Sequence, residues 1–231
     1  MKVGTDGVLL GAWADVAGVK NILDIGTGTG LIALMLAQRS NAIICGIEID
    51  ESAAMQSVEN VNNSPWPERV NIEAVSLQDF VKKSAPNRFD LIVSNPPYFN
   101  NSMKNPNTLR SLARHTDSLN HSDLIDAAYY LLSDIGRLSV ILPVSEGTAF
   151  IHQAEIAGLF CLRKTGVIPR PHAPEKRLLL EFSRTKRICE QNTLLIETGK
   201  RHEYSDEFKK LTEDFYLEPK FKMSKKWYAY T

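Results

Sequence analysis

Asp24-Ile25-Gly26-Thr27-Gly28-Thr29-Gly30 lies between an apolar run that starts at Asn21 and a helical pattern over Leu31 to Gln38. Glycines in such a turn remove the Cβ atoms that would keep the backbone away from a ligand. The helix that follows has free N–H groups at its first turn. The heptapeptide therefore predicts a strand, a ligand-binding turn and a helix.

The same alternation of strand-length apolar runs and longer helical patterns extends along most of the chain. It is typical of parallel strands joined by helices that cover the sheet. We therefore expect an α/β, Rossmann-like fold whose seven-stranded, mostly parallel sheet carries helices on both faces. The expected strands are residues 21–25, 42–48, 70–75, 89–94, 137–142, 160–168 and 177–182, and the expected helices are 31–38, 51–62, 123–132, 146–157 and 205–215.

Composition limits the class of protein. The chain has 231 residues with 27 basic and 27 acidic side chains, which suits one domain over residues 1–231. Its three cysteines, Cys45, Cys161 and Cys189, are odd in number and widely spaced, so we expect neither a disulfide framework nor a metal site. A reducing cytoplasm fits this usage. No apolar run approaches the roughly 20 residues that span a bilayer, so we expect no membrane partner.

Charge is distributed unevenly along the chain. Residues 1–159 carry 11 basic and 17 acidic side chains, whereas residues 160–231 carry 16 basic and 10 acidic ones. A basic C-terminal third is a candidate for contacting a polyanion such as nucleic acid. A lysine-rich solvated surface explains the same charge, so both interpretations stay open.

An acidic residue supports a nucleoside site at the glycine turn. Glu48 ends the second expected strand, 20 residues after Gly28, where a carboxylate can accept both ribose hydroxyls. NAD is the competing ligand, but the spacing is Gly-x-Gly-x-Gly, without the third glycine of Gly-x-Gly-x-x-Gly. The turn resembles the first motif of S-adenosylmethionine (SAM) methyltransferases. The predicted cofactor-binding residues of this region are Asp24, Gly26, Gly28, Gly30 and Glu48.

Asp79 follows the third expected strand within Ser76-Leu77-Gln78-Asp79-Phe80. In the resembling enzymes this loop meets the adenine of the cofactor, with an acidic residue placed to accept from the adenine amino group. The alternative is that Asp79 caps a short helix.

Asn95-Pro96-Pro97-Tyr98 directly follows the fourth expected strand. Consecutive prolines lack N–H donors and have fixed φ, so the carbonyl groups of this segment are held outward. The Asn95 amide oxygen and the Pro96 carbonyl can then accept both hydrogens of one NH₂ group, and Tyr98 can stack on a flat substrate. The motif predicts catalysis by Asn95, Pro96, Pro97 and Tyr98 on a planar amino group, with Asn95 also bordering the cofactor. Adenine N6 and a glutamine side-chain amide both qualify.

Longer segments carry a resemblance to one known family. They are Lys2 to Ala14, Leu23 to Leu31 with Ala33 to Arg39, Glu59-Asn60 with Ser64-Pro65-Trp66, and Phe89 to Tyr98, and more weakly Ala113-Arg114-His115, Leu178-Leu179-Leu180 and Phe215-Tyr216-Leu217. On these segments the chain resembles the bacterial tRNA1(Val) (adenine(37)-N6)-methyltransferases. The resemblance implies a class I methyltransferase fold, SAM as cofactor, a cytoplasmic enzyme and transfer to adenine N6 beside the anticodon.

The resemblance also bears on both ends of the chain. It implies that residues 1–20 cover the cofactor, with Lys2, Gly4 and Asp6 in contact with it. Family members usually carry further residues before the segment that starts at Lys2, so a truncated chain and a misassigned start codon both stay open, and residues 218–231 extend past the family's usual end. For the tRNA anticodon stem-loop we expect contacts from the polar 100–120 loop and the basic, aromatic tail. The predicted RNA-contacting residues are Arg110, Arg114, His115, Lys225 and Lys226.

Other functions share parts of these patterns. A glutamine methyltransferase acting on release factors also uses Asn-Pro-Pro-Tyr, but such enzymes carry an N-terminal recognition domain for which this chain has no room. An adenine N6-methyltransferase of DNA or ribosomal RNA is a further alternative. A silent nucleoside-binding adaptor would show damage at residues 95–98, which are intact, and a dehydrogenase lacks a visible acid and base pair. The oligomeric state stays open.

Overall fold

A computed structural model of the chain describes residues 4–97 and 119–216. The strands are β1 (Asn21–Ile25), β2 (Ile43–Glu48), β3 (Val70–Ala74), β4 (Phe89–Ser94), β5 (Leu132–Pro143), β6 (Phe160–Ile168), β7 (Arg177–Ser183) and β8 (Glu190–Leu195). The helices are α1 (Thr5–Trp13), α2 (Leu31–Arg39), α3 (Glu51–Asn62), α4 (Leu77–Lys83), α5 (His121–Leu131), α6 (Val144–Ile156) and α7 (Asp206–Thr212).

The strands form one sheet in the order β3-β2-β1-β4-β5-β7-β6-β8. Among the described strands only β7 runs antiparallel to its neighbours. The expected mostly parallel sheet is thus confirmed, but the strand number is corrected from seven to eight. The additional strand, β8, pairs with β6 at the sheet edge. Four of its six residues are exposed and polar, so it lacks the apolar run by which the other strands are recognised.

Helices cover both faces of the sheet, as expected. Within β1, alternate side chains point to opposite faces, so Leu23 contributes to one core cluster and Ile22 to the other. The first cluster lies under α4, α5 and α6 and contains Phe80, Leu124 and Phe150. The second lies under α1, α2, α3 and α7 and contains Leu9, Leu36, Val61 and Phe208. Strands buried on both faces are typical of such a sheet.

Helix α1 packs closely on α2 within the segment expected to cover the cofactor. A Cβ atom at Gly11 would lie 2.7 Å from Met35 Sδ, so the glycine permits the short separation of the two helices. At the end of α1, Arg39 Nη1 donates to the carbonyls of Gly11 (2.7 Å) and Ala14 (2.8 Å). A cation at a helix C-terminus also complements the helix dipole.

The far end of α1 is also fixed to the sheet. Trp13 Nε1 donates to Thr165 Oγ1 of β6 at 3.1 Å, a buried hydrogen bond. The Arg163 guanidinium stacks 3.7 Å from the centre of the Trp13 ring, and its Nη2 donates to the Trp13 carbonyl at 3.1 Å. Helix α1 is therefore held against both α2 and β6, with its N-terminus at the carboxyl edge of the sheet.

Candidate active site

The glycine turn between β1 and α2 adopts a backbone conformation that L side chains rarely reach. The φ angles are +71° at Gly26, +58° at Gly28 and +85° at Gly30. The N–H groups of Gly26 and Thr27 donate to the Ile47 carbonyl of β2 at 2.9 and 3.0 Å. The turn is thus bent back toward the end of the neighbouring strand.

Glu48 lies at the end of β2, beside this turn. Its Oε2 accepts from the Gly28 N–H at 2.8 Å and its Oε1 accepts from the Asp50 N–H at 3.0 Å. A carboxylate offers about four lone-pair positions, so these two bonds leave capacity for ligand hydroxyls. The sequence predicts Glu48 at this position, whereas its hydrogen bond to the turn is seen only in the structure.

Asp24 is fully buried behind the turn. Its Oδ2 accepts from Thr27 Oγ1 at 2.6 Å and from the Ala33 N–H at 3.1 Å. Its Oδ1 is buried without a hydrogen-bond partner among the described residues. Burial raises the pKa of Asp24 to about 7, although the hydrogen bonds from Thr27 and Ala33 act in the opposite direction. The carboxyl group therefore joins the start of the turn to the start of α2.

Gly26 and Gly30 differ in their surroundings. A Cβ atom at Gly26 would meet no atom within 4 Å, because this glycine borders open space. A Cβ atom at Gly30 would lie 2.5 Å from Ser57 Oγ of α3. Gly26 thus leaves room for a ligand, whereas Gly30 allows α2 and α3 to approach each other.

A cavity of about 470 Å³ opens in front of the turn. This volume lies within the range of small-molecule sites. Its walls come from the ends of β1, β2 and β4, from the loop after β3 and from the start of α1. They include Gly4, Gly7, Gly26, Thr27, Gly28, Ile47, Glu48, Val75, Leu77, Gln78, Asn95, Pro96, Pro97 and Leu119. Asp24 and Gly30 lie behind this wall and do not line it.

The Asn-Pro-Pro segment lies in the same cavity because β4 is the direct neighbour of β1. Ile25 and Ser94 are register partners, and Ser94 Oγ donates to the Ile25 carbonyl at 2.9 Å in a buried hydrogen bond. Pro96 is buried, Asn95 is partly buried and Pro97 is exposed. The two motifs that the sequence analysis selected are thus brought together at one edge of the sheet.

Asp6 lies in the first turn of α1, beside the Asn-Pro-Pro segment. It lines a shallow depression together with Gly4, Pro96 and Pro97. Its Oδ2 accepts from Arg177 Nε of β7 at 2.8 Å. This ion pair joins residues 171 positions apart, so nothing in the local sequence indicates it.

Asp79 lies outside the cavity, in the first turn of α4. Its N–H donates to the N-cap Ser76 Oγ at 3.1 Å, and its carboxylate forms an ion pair with Lys82 at 2.8 Å. The hydrogen bonds from Lys82 and Ser76 lower the pKa of Asp79. Its neighbour Gln78 lines the cavity instead, and sequence reasoning missed it, as it missed Gly7 and Leu119.

Several predicted site residues lie outside the described residues. They are Lys2, Tyr98, Arg110, Arg114, His115, Lys225 and Lys226. Over residues 4–97 and 119–216, His, Cys, Asp and Glu side chains form no group of three or more that could hold a metal ion. In the same part of the chain, no helix is both long enough and apolar enough to cross a membrane.

Solved structures with a similar fold include methyltransferases. A predicted O-methyltransferase, Atu636 from Agrobacterium tumefaciens, superposes with a TM-score of 0.71 at 19% identity, over 90% of this chain and 96% of that one. A putative RNA methyltransferase, PH1948 from Pyrococcus horikoshii, gives a TM-score of 0.55 at 15% identity over 78% and 81% of the two chains. At such identities the likeness concerns the fold alone, and it confirms the expected class I methyltransferase architecture.

Comparison of sequences confirms the family resemblance. The model of the methyltransferase small domain family matches residues 7–142. A tRNA1(Val) (adenine(37)-N6)-methyltransferase of Trichodesmium erythraeum is 52% identical over 220 residues, which cover 94% of this chain and 91% of the relative. A protein of the same name from Bacteroides fragilis is 46% identical over 217 residues, with the same shares covered. The chain therefore belongs to the tRNA1(Val) (adenine(37)-N6)-methyltransferase family.

Proposed function

We propose that this protein transfers a methyl group from SAM to N6 of an adenine in a tRNA, at position 37 beside the anticodon. One observation carries the proposal. The glycine turn and the Asn-Pro-Pro segment line a single cavity, at the adjacent ends of β1 and β4. The names of the relatives support adenine N6 as the acceptor and a tRNA as the substrate. A tRNA substrate implies a cytoplasmic enzyme.

The residues of the cavity fit SAM. Gly26 borders open space, the Glu48 carboxylate has capacity for ribose hydroxyls, and Val75 and Leu77 offer apolar surface to an adenine. SAM, when bound, supplies a methyl group on a positively charged sulfur. Gly28 is proposed to approach the cofactor through its backbone. Asp24 and Gly30, which lie behind the turn, are proposed to act by fixing its shape.

The remaining proposed cofactor contacts involve the loop after β3 and the N-terminal segment. An adenine contact by Asp79 requires its side chain to move toward the cavity, which it does not line, whereas Gln78 already lines it. Gly4 lines the cavity at the start of α1, and Asp6 lies in the adjoining depression. Together with Lys2, they are proposed to close the site over the cofactor.

Asn95 and Pro96 are proposed to activate the acceptor. An exocyclic amine donates its lone pair into the adenine ring and is therefore a poor nucleophile. The Asn95 amide oxygen and the Pro96 carbonyl would accept its two hydrogens and return electron density to the nitrogen, an electrostatic stabilisation that grows toward the transition state. Pro97 holds the segment rigid, and Tyr98 is proposed to stack on the base. Alignment of nitrogen, methyl and sulfur contributes about 7 to 11 kcal/mol in well-oriented reactions.

The function is tested by offering the purified protein several acceptors side by side with labelled SAM. We expect label in unmodified tRNA, recovered as N6-methyladenosine at position 37 by nucleoside and fragment mass spectrometry. The control acceptors are a release-factor protein, ribosomal RNA and duplex DNA. Label found in the protein as methylglutamine, or only in ribosomal RNA or DNA, would replace the proposed substrate. Calorimetry that shows NAD binding and no SAM binding would overturn the cofactor assignment.

A further inference from the structure

A basic surface continues from the active site along the carboxyl edge of the sheet. Strand β4 ends at this edge, and so do β6 and β8, because both run parallel to β5. Two connections project there: the loop 169–176 between β6 and β7, and the hairpin 197–204 after β8. Since neighbouring strands lie about 4.8 Å apart, the edge from β4 to β8 extends for about 20 Å.

Hydrogen bonds hold the two connections together. The Glu197 N–H donates to the Pro169 carbonyl at 3.1 Å, so the hairpin begins beside the loop. Within the hairpin, Glu197 and Tyr204 form an antiparallel bridge. At the other end of the loop, the Lys176 N–H donates to the Val167 carbonyl at 2.9 Å. The loop and the hairpin therefore form one continuous surface.

This surface adjoins the depression next to the catalytic segment. Lys176 directly precedes Arg177, whose Nε donates to Asp6 at 2.8 Å. Asp6 lines the depression together with Pro96 and Pro97. Lys176 of the basic surface is thus the chain neighbour of Arg177, and Arg177 contacts a residue in the wall of the proposed target site.

The two connections, residues 169–176 and 197–204, carry four basic and three acidic side chains, a net charge of +1. Arg170, Lys176 and Arg201 are exposed, and none of their side chains forms an ion pair or hydrogen bond with another described residue. Three carboxylates, Glu175, Glu197 and Glu203, belong to the same two connections, and their contacts leave their charges in place. The Glu175 carboxylate lies against Gly166 on β6. Glu197 accepts from the His202 N–H at 2.9 Å, and Glu203 pairs with Lys200 at 3.7 Å.

We propose that Arg170, Lys176 and Arg201 bind the phosphate backbone of the RNA substrate outside the loop that carries the methylated base. This inference rests on the proposed function. Base-paired RNA is recognised mostly by its shape and its phosphates, and such contacts position the substrate without reading its sequence. The surface adjoins the target site and reaches β8, which lies about 20 Å from β4 along the sheet edge, so it would hold the stem while the loop enters the cavity.

The test is a triple charge reversal, Arg170→Glu with Lys176→Glu and Arg201→Glu. Its matched control reverses Lys20, Lys83 and Arg187, three exposed cations without a described ion pair that lie before β1, at the end of α4 and between β7 and β8. Both variants change the net charge equally. We expect the first variant to bind tRNA more than about tenfold more weakly, with KM raised and kcat at saturating tRNA retained. Its SAM affinity should be unchanged.

Salt dependence and a shortened substrate sharpen the result. Loss of three phosphate contacts to a base-paired stem should make the negative slope of log affinity against log salt shallower by about 2.7, at roughly 0.9 per contact. A loop oligonucleotide without its stem should be bound equally by the wild type and the variant. Equal weakening in the control variant, or an equal loss on the loop oligonucleotide, would overturn the stem-binding role. A wild-type protein that methylates no tRNA would refute the proposed function itself, whereas a methylating wild type with an unaffected triple variant refutes only this surface.

Discussion

The cofactor side and the acceptor side of the cavity are built differently. On the cofactor side, the turn at residues 26–30 is fixed by buried or partly buried hydrogen bonds to Asp24, Glu48 and Ile47. On the acceptor side, two prolines without N–H groups lead into exposed surface, and the side chains of Arg170, Lys176 and Arg201 farther along form no hydrogen bond or ion pair with the described residues. The contrast indicates that the small ligand meets a preformed site, whereas the large substrate supplies many of its own contacts.

The largest expected effect is on the rate of methyl transfer, when a residue of the acceptor side alone is replaced. Asn95→Ala should lower methyl transfer by about 10² to 10³, the usual cost of removing one group that stabilises a transition state. SAM affinity should stay nearly unchanged, because the Glu48 and Gly28 contacts are intact. Single-turnover methylation and calorimetry measure the two quantities. Asn192→Ala, on the exposed edge strand β8, serves as the control and should change neither. Near-native turnover in Asn95→Ala would refute its catalytic role.

The pH dependence of the unfolding free energy tests the role of buried Asp24 on the cofactor side. Burial raises the pKa of Asp24 to about 7, above the ordinary aspartate value of 3.8. Between these two pH values, Asp24 is protonated in the folded protein and ionised in the unfolded chain. The stability that this group contributes is therefore complete below pH 3.8 and is lost as the pH rises through about 7. Relative to Asp24→Asn, the wild type should lose up to a few kcal/mol of unfolding free energy between about pH 4 and pH 8.

Urea unfolding at several pH values measures this difference. Asp134→Asn is the matched control, because Asp134 is exposed and pairs with Arg184 at the surface. Its stability curve should run parallel to that of the wild type. Parallel curves for Asp24→Asn as well would show that Asp24 does not change its protonation on folding in this range.

A smaller effect, on thermal stability, is expected to distinguish two glycines of the cofactor side. An alanine at either Gly26 or Gly30 adopts a left-handed conformation at a cost of about 1 to 2 kcal/mol. Gly30→Ala also collides with Ser57 Oγ, so it should unfold at a lower temperature than Gly26→Ala, and Ser57→Ala, which removes this oxygen, should relieve the difference. Gly26→Ala should mainly weaken SAM binding. Thermal unfolding and calorimetry test the pair, and a less stable Gly26→Ala would contradict the distinction.

Much of the fold could be predicted because buried parallel strands are continuous apolar runs. All seven expected strands are present, although β5 begins at Leu132, where its pairing with β4 is irregular between Phe89 and Leu91. Helix α1 was not expected as a helix. Its residues from Gly7 to Trp13 are all buried, so it lacks the alternation of polar and apolar faces that marks a surface helix.

The site was predictable to the extent that it depends on strand ends. The glycine turn and Asn95 follow strands of one parallel sheet, so their proximity could be expected from the sequence. Contacts between distant segments could not be, since Asp6 with Arg177 and Trp13 with Thr165 join residues more than 150 positions apart. Asp79 lies in the first turn of α4, where its N–H donates to the N-cap Ser76, and its neighbour Gln78 lines the cavity.

The pairing of Ile25 with Ser94 has a consequence for how enzymes of this architecture can diverge. A slip of one residue between β1 and β4 would displace Asn95 by about 3.3 Å, as much as the whole separation of two atoms poised to react. Register shifts in steps of whole residues, and a slip of one residue also turns every side chain of the strand to the other face of the sheet. The alignment of donor and acceptor is therefore insulated from the connecting segments, and these can lengthen, shorten or change sequence to acquire new substrates while the reaction geometry is inherited intact.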